Sequence, residues 1–116
     1  MTQKRYDSHS TEFGLWLRDQ KEIDSSLGYL ATNIDYVWKN YNTEKWMFIE
    51  EKRFMSKVKS WQHEIFKALH IWAKRDPNFC GFHLIQFEKT SPEDGKIFLD
   101  KKEISKNNLI KFLQFK

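Results

Sequence analysis

Residues 45–52, Lys45-Trp46-Met47-Phe48-Ile49-Glu50-Glu51-Lys52, carry the clearest structural signal in the chain. Aromatic and β-branched side chains fill the middle of the run, and charged ones close it, as in a strand that starts in the core and ends at a surface. Side chains alternate along a strand, so Trp46, Phe48, Glu50 and Lys52 share one face while Met47 and Ile49 share the other. Upstream, Asn40-Tyr41-Asn42-Thr43 reads as a loop with hairpin character. Before it, residues 29–38 read as one strand, or as two separated near Thr32-Asn33. Antiparallel strands joined by a tight loop follow from that order.

Further out, helical spacing replaces alternation. A helix is expected from an N-cap at Ser10 or Thr11 to about Gln20, with Phe13, Trp16 and Leu17 as its buried stripe. A long helix should run from near Ser56 or Ser60 to Lys74, because Val58, Trp61, Ile65, Leu69 and Trp72 recur at spacings of three and four. Asp76-Pro77-Asn78 should end it. Residues 81–89 read as another strand, 91–95 as a turn, 96–99 as a short return strand and 106–115 as a closing helix. Helices interspersed with strands in this manner predict an α/β fold with a mixed sheet flanked by helices.

The chain has 116 residues, enough for one domain, with residues 1–9 expected as a mobile lead-in. A single cysteine, Cys80, rules out an internal disulfide and a cysteine-built zinc site, and suits a reducing, cytoplasmic compartment. Cys80 itself is expected to be a small buried hydrophobe. No apolar run is long enough for a signal peptide or a membrane span. The net charge of +4 suits a polyanionic partner, although lysine-rich surfaces are also simply solvated.

Three residues stand out chemically. Asp35 interrupts the apolar run Ile34-Asp35-Tyr36-Val37-Trp38, where an acid is costly unless paired or bound to a metal. Glu50 and Lys52 end the next strand on one face. The fifteen positions from Asp35 to Glu50 are enough to turn and return antiparallel, which brings the two acids side by side. Magnesium prefers hard oxygen ligands, usually one or two carboxylates with water and phosphate. It lowers the pKa of a bound water and shields charge on a phosphoryl group, and a neighbouring lysine can orient or deprotonate the attacking water.

Asp35 followed by Glu50-x-Lys52 resembles the signature of the PD-(D/E)XK nuclease superfamily, with the acid on one strand and the E-x-K on the next. The expected order of helix, three-strand meander, helix and strand over residues 10–90 is similar to that superfamily's restriction-endonuclease-like core. The resemblance implies ligation of magnesium or manganese by Asp35, Glu50 and the backbone carbonyl of Glu51, with Lys52 as the catalytic lysine. It also implies that Glu12, on the first helix, supports a second metal. Gln62 resembles the glutamine of a Gln-x-x-x-Tyr motif in some branches, with Phe66 in place of the tyrosine. Ile34 stands where many members have proline.

The activity so implied is metal-dependent hydrolysis of phosphodiester bonds in DNA, structure-specific or weakly sequence-specific, leaving a 5′-phosphate. Lys39 and Lys45 beside the hairpin turn, and Arg53, Lys57 and Lys59 after the strand, are candidate phosphate contacts. Lys101, Lys102, Lys106 and Lys111 are candidates to extend that track. A homodimer through residues 109–115 is a further expectation. Plainer alternatives stand beside these. Asp35 can be a structural acid paired with Arg53 or Lys52, Glu12 a helix-start charge and Gln62 a capping-region residue. His63 and His70 are expected to be solvated and His83 structural. The whole can also be an inactive nuclease fold that binds nucleic acid or a protein.

Overall fold

The computed structural model describes residues 12–29 and 32–116. The chain divides after Asn33 into two compact units. In the first, helix α1 covers Glu12–Asp19, with Glu12 in its first turn, where the helix dipole favours a carboxylate. Ser10 and Thr11, the two expected caps, lie outside the described residues, as do residues 1–9. The expected buried stripe is not observed: Phe13 and Trp16 are exposed and stack on each other, with ring centroids 5.9 Å apart. Two short 3-10 turns follow, Lys21–Ile23 and Ser25–Leu27. Asp24 caps the second through its Oδ2, which accepts from the Ser26 N–H at 3.0 Å, and Gly28 ends it at φ 96°. That geometry is natural for glycine and leaves Tyr29 outside any strand.

The second unit is an α/β arrangement built on an open, mixed five-stranded sheet. Its elements are β1 (Tyr36–Lys39), β2 (Trp46–Lys52), α2 (Ser60–Ala73), β3 (Phe79–Phe87), β4 (Ile97–Leu99), β5 (Lys102–Ile104) and α3 (Lys106–Leu113). The sheet order is β1-β2-β3-β4-β5. β2 and β3 are parallel, joined through α2, and the other neighbours are antiparallel. The long strand expected before the hairpin is thus a correction. Only Tyr36–Lys39 pairs, so among the described residues the meander has two strands rather than three. β5 was not anticipated, because Lys102-Glu103-Ile104 is a short, charged edge strand without an apolar run.

The alternation in β2 sorts the sheet into two faces. Met47 and Ile49 join Ile85, Phe87 and Ile97 in a core closed by Leu109 of α3, with Phe112, Leu113 and Phe115 packed against it. The apolar side of the closing helix is therefore occupied by the chain's own sheet, and Ile110 is its exposed large apolar residue. Trp38 fastens the end of α3 from the hairpin, donating from Nε1 to the Leu113 carbonyl at 2.7 Å. No helix among the described residues is long and apolar enough to cross a membrane.

The opposite face carries Phe48, Glu50 and Lys52 on β2 and Phe82, Leu84 and Gln86 on β3, paired in register. α2 lies against β3 on this side, with Phe66 stacked on Phe82 at 4.4 Å. The buried positions of α2 are Gln62 and Phe66. Trp61, Ile65 and Leu69 of the predicted stripe are only half-buried, and Trp72 is exposed beneath the Arg75 guanidinium at 4.4 Å. Periodicity located the helix, but its contact line is rotated by one residue from the richest apolar stripe.

A bulge sets the depth of β3. Between the pairs Trp46–Phe79 and Phe48–Phe82, one residue of β2 opposes Cys80 and Gly81. Gly81 adopts φ 109°, and a Cβ there would fall 2.8 Å from His83 Nε2. The bulge leaves Cys80 exposed, contrary to the expected burial. It also lets His83 reach back to the Cys80 carbonyl at 2.8 Å while its Nδ1 meets Asp100 at 2.7 Å.

Candidate metal and phosphodiester site

The ladder between β1 and β2 begins at Tyr36, opposite Ile49. One position further, Asp35 therefore faces Glu50. Asp35 is a bend residue just before the strand, not inside it as expected. The reason is visible in its hydrogen bond. Asp35 Oδ2 accepts from the Glu51 N–H at 2.8 Å, so the carboxylate takes the place that another backbone carbonyl would hold. In an antiparallel pair, the N–H and C=O of a hydrogen-bonding residue leave the same edge of its strand. The Glu51 carbonyl accordingly leaves β2 on the Asp35 side.

Glu50 is almost fully buried, at 3% exposure. Its Oε2 lies 3.4 Å from Lys52 Nζ, while its Oε1 is buried with no hydrogen-bond donor. The group in hydrogen-bonding range of Glu50 is a second acid, Asp35, which can serve it only when a proton lies between them. Burial first, and then the Asp35 charge and this acid–acid contact, push the Glu50 carboxyl up to about 7, against the opposing pull of Lys52. A buried carboxylate oxygen without a donor, beside another carboxylate, calls for a proton or a cation between the two acids.

Lys52 is held from two sides. Besides Glu50, its Nζ donates to Gln62 Oε1 at 3.4 Å, and the same oxygen accepts from the Lys59 N–H at 3.3 Å. Gln62 is buried, and its bond to the Lys59 N–H caps the start of α2, so the expected capping role is observed beside the contact with Lys52. Asp35, Glu50, Lys52 and Gln62 are thus brought together, with the Glu51 backbone at their edge. Glu12 belongs to the first unit, on the first residue of α1, and is exposed.

The basic residues divide by position. Arg53, Lys57 and Lys59 lie in the loop that leaves β2 at the site. Lys39 and Lys45 lie at the hairpin, about 15 Å of strand away from Glu50, and Lys39 pairs there with Glu44 at 2.9 Å. The loop after β2 is unusual in its backbone. Phe54 and Met55 both adopt positive φ, 54° and 57°, and donate N–H bonds to the carbonyls of Lys89 and Phe87 at 2.8 and 2.9 Å. Two successive non-glycine residues in this region carry strain that those bonds must overcome.

Sequence reasoning missed Gln86. It pairs in register with Lys52, is buried, and donates from Nε2 to the Ser56 carbonyl at 3.0 Å, tethering the same loop. The available signal was a polar residue within the apolar run Leu84-Ile85-Gln86-Phe87, the same kind of signal that singled out Asp35.

Two carboxylates and a peptide carbonyl are a hard, all-oxygen donor set of the kind magnesium or manganese accepts, with the remaining positions left to water and phosphate. Among the described residues no group of three or more histidine, cysteine, aspartate or glutamate side chains is placed to hold a metal, and the two carboxylates that meet here are Asp35 and Glu50. The donor-free Glu50 Oε1 fits a cation there. Comparison with known proteins adds nothing to this geometry: no family model, no curated protein and no solved structure matches the chain.

Proposed function

We propose that the second unit is a metal-dependent nuclease of the PD-(D/E)XK type, with a restriction-endonuclease-like core reduced to few elements, hydrolysing phosphodiester bonds in DNA. The observation that carries the reading is the buried Glu50 carboxyl, donor-free at Oε1, set beside Asp35 and within 3.4 Å of Lys52. A structural ion pair has no need of a second acid at that position. Two acids at one buried point repel each other unless a proton or a cation lies between them.

Asp35 and Glu50 would hold a magnesium or manganese ion, with the Glu51 carbonyl as a third ligand. The bound ion would supply Lewis acidity, polarising the scissile phosphoryl group and lowering the pKa of a water. Asp35 is oriented for this by the Glu51 N–H. Lys52, held by Gln62 on its far side, presents its ammonium group to the developing negative charge and aligns the attacking water. Gln62 acts through Lys52 as a positioning residue. Arg53, Lys57 and Lys59 would bind phosphates on either side of the cut.

The test is cleavage of labelled single-stranded, duplex and branched DNA with magnesium or manganese, comparing wild type with Lys52→Ala and Asp35→Ala. Metal-dependent cutting that falls by about a hundredfold or more in both variants supports the reading. Cutting that persists in both assigns the activity elsewhere, and DNA binding without any cutting favours an inactive nuclease fold that acts by binding.

A further inference from the structure

α2 covers only part of its face of the sheet. Between the helix and strands β3 and β4 lies a groove of about 1240 Å³, lined entirely by residues of the second unit. Its floor is aromatic and aliphatic, formed by Phe66, Phe82, Leu84 and Phe98. Lysines line it on three different elements: Lys57 from the loop after β2, Lys67 from α2 and Lys101 from the β4–β5 turn. None of these three forms an ion pair among the described residues. Of the two acids that line the groove, Asp100 already has both oxygens engaged, by His83 and by the Leu84 N–H, which leaves Glu64 against three lysines. The groove therefore has a positive rim over an apolar floor.

It also borders the candidate site. Gln86, in register with Lys52, lines it, and so does His63, the residue after Gln62. A strand leaving the Asp35–Glu50–Lys52 cluster past Lys57 would enter it directly. We infer that this groove binds a single-stranded segment of nucleic acid, with phosphates on Lys57, Lys67 and Lys101 and bases against Phe98. This rests on the nuclease reading and narrows its substrate to one with an unpaired tail or flap. The charge selects a polyanion, and the floor selects among polyanions. Duplex DNA presents phosphates and polar base edges to a protein, whereas an unpaired strand offers base faces that an aromatic floor can meet. Stacking of this kind tolerates any base, so the groove is expected to bind with little sequence preference.

Fluorescence anisotropy with labelled oligothymidylate of about twelve nucleotides, a length in the range single-strand-binding domains cover, tests this in calcium in place of magnesium or manganese. The competitors are blunt duplex DNA and polyglutamate. Lys67→Glu combined with Lys101→Glu alters two exposed side chains, and Phe98→Leu keeps an apolar side chain while removing the aromatic face. Both proteins are expected to keep the wild-type circular dichroism spectrum and to lose about tenfold or more in affinity for the single strand, with a smaller loss for the duplex. Unchanged affinity in both folded variants, equal losses for single strand and duplex, or displacement of the oligonucleotide by polyglutamate as readily as by unlabelled oligonucleotide would each overturn the inference. The nuclease reading fails separately. Single-strand binding lost in these variants, in a protein that never cuts, leaves the groove standing without the hydrolase; cutting by a protein whose variants bind normally does the reverse.

Discussion

Replacing Glu50 by glutamine should make the metal-free protein more stable while removing its metal site. The Glu50 carboxyl rises from 4.5 to about 7 on folding. A folded-state pKa above the unfolded one means the native state holds the proton more tightly, so wild-type stability falls as pH rises from about 4.5 to about 7 and stays low above that. Each tenfold change in proton affinity is worth roughly 1.4 kcal/mol, so the rise from 4.5 to about 7 corresponds to an ionisation penalty of about 3 kcal/mol at pH 8. Glutamine carries no charge, and its amide can donate to Asp35 where the carboxylate cannot. The attraction of Lys52 is already contained in that penalty, which is net of its pull. Glu50→Gln is therefore expected to gain about 1–3 kcal/mol at pH 8 and little near pH 4.5. Urea unfolding of both proteins across that range, in chelator, measures the difference. Added manganese should raise the midpoint of the wild type alone. A variant less stable than wild type at pH 8, or a difference that does not change with pH, would refute the reasoning.

Other parts of the structure make their own predictions. The two ring nitrogens of His83 face only acceptors, the Asp100 carboxylate and the Cys80 carbonyl, so both donate in the imidazolium form. Burial pulls its pKa down, but the hydrogen bonds to Asp100 and Cys80, with the Asp100 charge, outweigh it and leave the pKa raised. The resulting stability is present below pH 6.5 and lost as pH rises through the folded value. His83→Gln should cost about 1–2 kcal/mol near pH 6 and less near pH 9, read by thermal unfolding. Gly81→Ala, at φ 109° with a Cβ 2.8 Å from His83 Nε2, should cost about 1–3 kcal/mol in the same assay. Leu109→Ala should cost about 2–5 kcal/mol and loosen α3 in hydrogen exchange, since this side chain closes the core under Met47, Ile49 and Ile97.

The sequence was most legible where one pattern served one purpose. Alternation in residues 45–52 gave β2 its position and its two faces, because Met47 and Ile49 had to be buried and Glu50 and Lys52 had to share the other side. The helices over Glu12–Asp19, Ser60–Ala73 and Lys106–Leu113 lie within the spans that apolar spacing marked out. The pairing of Asp35 with Glu50 followed from the hairpin alone. Legibility failed where tertiary context chose among equivalent options. Aromatic residues on α2 suggested Trp61 and Trp72 as core, yet the buried positions are Phe66, stacked on Phe82, and Gln62, bonded to the Lys59 N–H and to Lys52. Of the β-prone run over residues 29–38, the described part gave a single short strand after Asp35, whose side chain takes the Glu51 N–H that a continued ladder would have used. The groove under α2 was invisible in the sequence. Its lining comes from five separate segments, and no local period records which sheet residues a helix leaves uncovered.

The most direct test of the central claim is calorimetric titration of manganese into wild type, Asp35→Ala and Lys52→Ala. The account predicts one binding site per chain in the wild type, lost in Asp35→Ala and retained in Lys52→Ala, because Lys52 neighbours the cation and does not ligate it. Equal binding by wild type and Asp35→Ala, or no binding by the folded wild type, would contradict it.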